Sequence, residues 1–401
     1  MTVSPSQQRR KRPCPVCGSL ESTQLFRQSF QEMSAANFLN GYDVVICKQC
    51  GLGFADGIPT QDVFDKYYQD NSKYEYQHTG GKESESDESR FRGISSTLGQ
   101  LIANKSSRVL EIGCATGRLL AMLREAGFSN VQGLDPSPGC AKAAWDLYKV
   151  PVFAGSLFDI PTPSIAYDLV ISTGVLEHVE DVSKALDCLR AVLSPKGLAY
   201  AEVPDGSRYA GRPDAPYQEF SIEHINFFSM VSLSNLFRRN GLRPVSSGQA
   251  VRQQNENTTC PVAFGIFEKA DSSLPIERDE TTEPGLRRYI EESAAVDARV
   301  RQVIQDGARG RELLVWGAAT HTQRLLAVGA FSNIRISAFV DSNPKLHGHT
   351  LQGIPIVGPA ALGGRTEPIL ISTRGFQREI RDQIRQQLKL DNEVIMLYDA
   401  D

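Results

Sequence analysis

From residue 107 onward, short apolar runs alternate with stretches of helical period, and this alternation constrains the fold more than any other feature. Residues 108–113, 131–135, 152–155, 168–172 and 198–203 read as strands, being apolar runs too short for helices. Between them, residues 119–127 and 139–148 have helical spacing, as do Val182, Leu186, Leu189 and Val192. A strand–helix–strand rhythm needs crossover connections, which predicts a parallel sheet covered by helices on both faces. A helix near 232–239 and strands at 244–247 and 262–268 complete this block. A second, smaller α/β rhythm follows a helix near 286–305. It has strands at 313–316, 334–340 and 368–371 and helices at 323–328 and 377–388. A chain of 401 residues, 41% of them apolar, has length and core for two or three domains.

The segment before the first rhythm carries a different signal. Cys14-Pro-Val-Cys17 and Cys47-Lys-Gln-Cys50 are two C-x2-C pairs, each followed by a glycine, Gly18 and Gly51. Each turn presents two thiolates to one metal, and two turns complete a tetrahedral zinc site with no open position. Closed coordination predicts a structural zinc. Eight cysteines in a chain of this length are too few for a disulfide scaffold. Redox chemistry at one pair is the weaker alternative, because no thioredoxin-like context surrounds it.

Composition excludes some functions. The net charge of -4 and the absence of a basic face argue against a nucleic-acid partner. No run of 18 apolar residues is present, so no membrane span is expected. The N-terminus lacks the apolar stretch of a signal peptide, which predicts a cytoplasmic location. The basic Arg9–Arg10–Lys11–Arg12 cluster reads as the end of a solvated tail.

The turn after the first strand holds the strongest chemical signal. Glu111-Ile-Gly113-Cys114-Ala-Thr-Gly117 lets a ligand approach the backbone at a helix start. Its spacing is Glu-x-Gly-x-x-x-Gly, not the G-x-G-x-x-G of a dinucleotide site. Asp135 closes the second strand, where a carboxylate can accept both hydroxyls of a ribose. Asp159 follows the third strand, suitably placed for an adenine amino group. Asp168 to Val179 spans the fourth strand and its exit, with Glu177 and His178. Ligands bind at the carboxyl ends of such strands. The best proton acceptor lies beyond the fifth strand, in Glu223-His224-Ile-Asn-Phe-Phe-Ser229, since histidine ordinarily titrates near neutrality. The alternative is that Glu223 and His224 only fix this segment by hydrogen bonds.

In this order and spacing, residues 107–270 resemble the class I S-adenosylmethionine-dependent methyltransferases. The resemblance implies a Rossmann-like, seven-stranded α/β core and cofactor contacts from Glu111, Gly113, Cys114, Gly117, Asp135 and Asp159. It implies that the loop at Val175 to His178 borders the cofactor, with His178 structural. Adding the cysteine pairs, the Glu-His-x-x-x-Phe-Ser segment and the C-terminal block, the chain resembles the zinc-containing sugar-nucleotide C-methyltransferases. Val315-Trp-Gly317-Ala-Ala and Val340-Asp-Ser-Asn-Pro344 are similar to elements of that family's C-terminal Rossmann-like domain. Carried over, His224 is the base, Glu223 its neighbour, and Tyr74 and Tyr76 border the substrate. Ser221 and Ser372-Thr-Arg374-Gly depart from residues common in that family.

The expected organisation is a disordered tail at 1–12, a zinc-binding module and connecting segment at 13–105, and a methyltransferase domain at 106–270. A linker at 271–285 and a C-terminal α/β domain at 286–401 complete it. The expected activity is methylation of a small biosynthetic metabolite, a nucleotide-linked keto-sugar taking the methyl on carbon. An O- or N-methyltransferase of the same build and a non-catalytic zinc-containing binding protein are the alternatives. The acceptor atom and the oligomeric state stay open.

Overall fold

The computed structural model describes residues 11–33, 39–70, 83–160, 166–212, 214–255 and 258–398. The chain divides into two units. One is drawn from Met1–Leu25, Val44–Ala210 and Glu223–Leu286, the other from Phe26–Asp43, Gly211–Ile222 and Arg287–Asp401.

The N-terminal region forms β1 (Ser22–Ser29), β2 (Gly41–Cys47) and β3 (Gly53–Asp56), followed by α1 (Gln61–Asp70) and α2 (Glu85–Leu101). In the first unit the sheet contains β4 (Arg108–Ile112), β5 (Asn130–Asp135), β6 (Val152–Ala154), β7 (Tyr167–Thr173) and β8 (Leu193–Pro204). The short β9 (Asn226–Phe227) pairs with β3, and β10 (Leu242–Gln253) and β11 (Thr259–Lys269) form a long hairpin. The seven-stranded order is β10-β11-β8-β7-β4-β5-β6, with β4 to β8 parallel and β11 antiparallel to β8. This is the class I methyltransferase fold that the sequence predicts.

Local chemistry sets the crossovers. α3 (Arg118–Glu125) buries Leu119, Leu120 and Leu123, while α4 (Pro138–Tyr148) starts at Pro138 with Ser137 capping the Cys140 amide. α5 (Val182–Val192) buries the expected Val182, Leu186, Leu189 and Val192. α6 (Met230–Arg239) opens with a Ser229/Ser232 capping box. β7 is buried along almost its whole length, as a central strand covered on both faces must be. Ile94 and Leu98 of α2 pack with α3 on one face. On the other face, Cys14, Val16, Cys47, Cys50 and Phe54 share a core with Leu110, Leu186, Phe228 and Phe237. The cysteine segment therefore packs as part of the first unit.

Two expected boundaries differ. Arg12, placed at the end of a tail, is only 5% exposed. Its guanidinium donates to the carbonyls of Ile225 (3.2 Å), Val179 (3.4 Å) and Glu180 (2.5 Å). A charge run reads as solvated in a sequence, but loop carbonyls brought together by the fold need donors. Residues 271–285, expected as a linker, are held onto the first unit. The Asn235 side chain bonds both backbone groups of Glu277, and the Asp279 amide donates to the Cys50 carbonyl at 2.9 Å. Asp279 is itself 2% exposed and accepts from Ser229 Oγ at 2.5 Å. α7 (Thr282–Ala308) starts within this segment rather than after it.

The second unit holds the six-stranded sheet β14-β15-β13-β12-β16-β17. Its members are β12 (Leu313–Trp316), β13 (Ile336–Val340), β14 (Thr350–Leu351), β15 (Ile354–Val357), β16 (Ile369–Ile371) and β17 (Val394–Met396). All pairs are parallel except β14 with β15. α8 (Thr320–Ala327) follows β12, and α9 (Gln377–Asp382) follows β16. Among the described residues no helix is long and apolar enough to cross a membrane.

Candidate functional site

The parallel strands of the first unit end along one edge, and a cavity opens there. It is lined by Glu111 to Ala115 at the end of β4 and beyond, Asp135 at the end of β5, Gly155 to Leu157 after β6 and Thr173 to Val175 at the end of β7 and beyond. The crevice at the carboxyl ends of such a sheet is where ligands bind.

Each lining residue is held for a reason. Gly113 has φ +69°, and a Cβ there would meet Val175 Cγ2 at 2.4 Å, so only glycine fits. Its amide donates to the Leu134 carbonyl at 2.7 Å, tying the turn to β5. Asp135 accepts from the amides of Ala115 (2.9 Å) and Ser137 (3.0 Å), which aims its carboxylate along the cavity rim. Cys114 lies against Gly133, where a Cβ would come within 2.3 Å of its sulfur. Glu111 is 2% exposed, and its Oε2 has no hydrogen-bond partner among the described residues. Burial pushes its carboxyl up to about 8, with the nearby Asp135 charge adding and Arg90 opposing. An orphaned buried carboxylate oxygen and a rim carboxylate suit a ligand carrying cationic and diol groups. The residues present therefore fit S-adenosylmethionine, whose α-ammonium, sulfonium and ribose supply these groups.

Two residues expected to contact the cofactor are outside this lining. Gly117 is not among the lining residues. It caps α3 with φ +77°, and a Cβ would press on Ala144 at 3.2 Å, so the helix start and α4 demand it. Asp159 also lies outside the lining, at the end of the 3-10 turn Leu157–Asp159, while Ser156 and Leu157 line the wall. Tyr74 and Tyr76 fall outside the described residues.

At the same cavity, Glu223 and His178 line the wall and His224 stands behind them. Tyr67 donates to Glu223 Oε1 at 3.0 Å, and burial raises the Tyr67 hydroxyl above the usual phenol range. His178 Nδ1 is 3.0 Å from the Glu223 carbonyl, and its Nε2 is 3.7 Å from Glu177 Oε1. The His178 and His224 rings approach to 4.9 Å between centroids in an edge-to-face arrangement. Two loops distant in sequence are clamped to make this group. The Ile225 amide donates to the Glu177 carbonyl at 2.8 Å, and Asn226 Nδ2 donates to Leu176 and Val179 at 2.8 and 2.7 Å. Arg12 ties the same two loops from the cysteine side. His178, expected to be structural, lines the cavity, as do Tyr68 and Arg90, which belong to no motif. An aromatic cluster at Phe64, Tyr67 and Tyr68 within a polar stretch is the signal in the chain that marks Tyr67 and Tyr68.

The four cysteines come together without lining this cavity. Cys14 and Cys50 sulfurs lie 3.5 Å apart, and Cys17 and Cys47 sulfurs 3.4 Å. A disulfide would be about 2 Å, whereas thiolates on a tetrahedral zinc stand about 3.8 Å apart. All four sulfurs lie within 4.8 Å of one another. Mutual hydrogen bonding pulls the Cys47 thiol down and pushes the Cys50 thiol up, so the set titrates together. The donor set fits a closed four-thiolate zinc site.

Residues 86–247 match the family described as Methyltransferase domain, and residues 310–396 match one described as C2185-like, N-terminal. The C-methyltransferase NovU of Streptomyces niveus is 25% identical over 365 residues, covering 86% of this chain and 83% of that protein. An uncharacterized methyltransferase of Bacillus velezensis is 35% identical over 96 residues, covering 23% of this chain and 45% of that protein. This chain spans about half of the length of that shorter relative and of the Staphylococcus carnosus methyltransferase, to which it is 31% identical over 119 residues. Among solved structures, the 1,6-didemethyltoxoflavin-N1-methyltransferase of Burkholderia thailandensis has a TM-score of 0.42 and 19% identity, covering 56% of this chain and 98% of that one. The matched methyltransferase domain contains every strand that lines the cavity, and the chain carries a class I S-adenosylmethionine-dependent methyltransferase domain.

Proposed function

We propose that this enzyme methylates carbon, next to the ketone of a nucleotide-linked sugar, with His224 as base. The observation that carries this reading is the contact of the His224 ring with His178, which together with Glu223 lines the cofactor cavity. Similarity to a protein named as a C-methyltransferase over 86% of the chain supports carbon as the acceptor. A carbon acceptor needs a base, because its nucleophilic form appears only after a C–H proton leaves.

Asp135 holds the ribose hydroxyls of S-adenosylmethionine, Glu111 meets its positive charge, and Asp159 meets the adenine from the turn behind Ser156. Gly113 and Cys114 form the wall, while Gly117 acts by packing the helix start. S-adenosylmethionine bound there supplies an electrophilic methyl group. The protein's part is alignment, worth several kcal/mol and as much as about 7–11. The ring-carbon proton passes to the imidazole of His224, and the C–H pair becomes the enolate. Its carbon forms the new C–C bond as the S–CH3 bond breaks, leaving S-adenosylhomocysteine. His178, edge-on to His224 and fixed by the Glu223 carbonyl, sets the orientation of the second imidazole. Tyr67 keeps Glu223 turned towards the cavity. Tyr74 and Tyr76 border the sugar. A zinc held by Cys14, Cys17, Cys47 and Cys50 is structural: it fixes the segment from which Arg12 reaches the two catalytic loops.

Incubation with methyl-labelled cofactor and a panel of nucleotide-linked keto-sugars, read by mass spectrometry, tests the reading. The expected product gains one methyl, and solvent deuterium exchanges at the adjacent ring carbon in the wild type but not in His224→Asn. Methyl transfer to oxygen or nitrogen, with no exchange, overturns it.

A further inference from the structure

Among the described residues, two groups of side chains can hold a metal ion. One is the cysteine set, and the other is Glu177, His178 and His224. One ligand atom from each of these three lies within 4.8 Å of those of the other two. Two imidazoles and one carboxylate are the donor set of open zinc and non-haem iron centres, where three protein ligands leave a position for water.

Three observations raise this group above a chance gathering. The first is the tautomer of His178. Its Nδ1 is 3.0 Å from the Glu223 carbonyl, and a carbonyl oxygen only accepts, so Nδ1 carries the hydrogen and Nε2 keeps its lone pair. A backbone carbonyl on one ring nitrogen is how metal-binding histidines are oriented. Nε2 stands 3.7 Å from Glu177 Oε1, against about 3.4 Å between two ligands of a tetrahedral zinc. The second is burial. Glu177 is 3% exposed, unlike the solvated carboxylates that gather on surfaces, and a carboxylate so desolvated gains from a cation beside it. The third is preorganisation. Glu177 and His178 sit on the 3-10 turn Leu176–His178 beyond β7, and His224 on the loop before β9. The Ile225 amide holds the Glu177 carbonyl at 2.8 Å, and Asn226 Nδ2 holds the carbonyls of Leu176 and Val179. The two rings stand 4.9 Å apart at 67° to one another. Backbone and side-chain bonds thus fix both loops before any ion arrives.

We propose that Glu177, His178 and His224 form a second metal site, for a divalent ion of the zinc class, and that filling it stops the enzyme. A neutral imidazole has one free lone pair. An ion that takes it leaves His224 none with which to accept the ring-carbon proton. The metal site stands on the geometry alone, and the inhibition rests on the function proposed above.

The probe is Co2+, added to untagged full-length protein whose four cysteines already hold zinc, and followed by calorimetry and visible absorption. One Co2+ per chain binds beyond the zinc, with weak ligand-field bands and no thiolate charge-transfer band. Glu177→Gln and His178→Asn each weaken this binding about tenfold or more. One equivalent of added Zn2+ stops both solvent deuterium exchange and methyl transfer with a keto-sugar nucleotide. A mild chelator that leaves the cysteine-bound zinc in place restores both. Should Glu177→Gln fail to fold, His178→Asn and His224→Asn decide the binding. Absence of the further equivalent overturns the proposal. So do thiolate bands in the Co2+ spectrum, or affinity indifferent to the substitutions. Binding that leaves methyl transfer at full rate overturns the inhibition, and with it the reading of His224 as base. Binding with no keto-sugar nucleotide methylated leaves the metal site standing and refutes the substrate reading instead.

Discussion

Replacing Glu111 by glutamine should make the ligand-free protein more stable at alkaline pH while weakening its hold on S-adenosylmethionine. Glu111 is buried, one of its oxygens has no hydrogen-bond partner, and burial raises its carboxyl from 4.5 to about 8. Between those two pH values the folded protein keeps a proton that the unfolded chain has lost. Stability therefore falls as pH rises through this window, by about 1.4 kcal/mol per pH unit at most. Over the whole window the ceiling is roughly 4–5 kcal/mol, and screening by water entering the cavity lowers it. Glutamine carries no charge at any pH and removes the slope. Thermal unfolding of wild type and Glu111→Gln from pH 5 to 9 measures it. The two should agree near pH 5 and diverge by several degrees near pH 8.5, the variant being higher. Cofactor affinity should move the other way, tightening in the wild type as pH rises through 8 and staying flat and weaker in the variant. Parallel unfolding profiles across this range would refute the argument that Glu111 is held as a desolvated acid awaiting a cation.

Three further outcomes follow from other parts of the first unit. Cys47→Ser should take bound zinc, measured by elemental analysis, from one per chain to nearly none and lower the melting temperature, because the site's four thiolates supply folding energy. Arg12→Ala should cost about 3 kcal/mol in urea unfolding, since Val179, Glu180 and Ile225 carbonyls lose a buried charged donor, and kcat should fall while cofactor affinity holds. Gly113→Ala should abolish cofactor binding in calorimetry, because its new methyl meets Val175 and its φ of +69° costs about 1–2 kcal/mol; adding Val175→Ala should restore part of the binding.

Much of this site is visible in the chain because it depends on short-range rules. A strand, a glycine turn and a helix follow one another within about a dozen residues, so Glu111, Gly113 and Asp135 reach the sheet edge by local patterning alone. The C-x2-C pairs are equally local, since two residues of spacing leave both sulfurs on one turn. Gly117 shows the limit of such reasoning: it has the motif spacing, but the close approach of Ala144 and Val150 that demands a glycine there arises only in the folded chain.

Charge patterns misled where burial was decided at long range. Arg12 and Asp279 look like solvated residues in a tail and a linker, yet both are buried. Their partners lie on Val179 and Ile225 in one case and on Ser229 in the other, and only the folded chain brings these within bonding distance. His178 illustrates the same point, for it gains a neighbouring imidazole 46 positions away in sequence once Asn226 and Arg12 clamp two loops. By itself, then, the sequence determined the parallel sheets, the cofactor turn and the four-cysteine cluster, because periodicity and near-neighbour spacing produce them. The tertiary structure alone decided which carboxylate oxygen is left without a partner among the described residues and which histidines meet. Those outcomes depend on desolvation and on contacts between distant segments, and no local pattern encodes either.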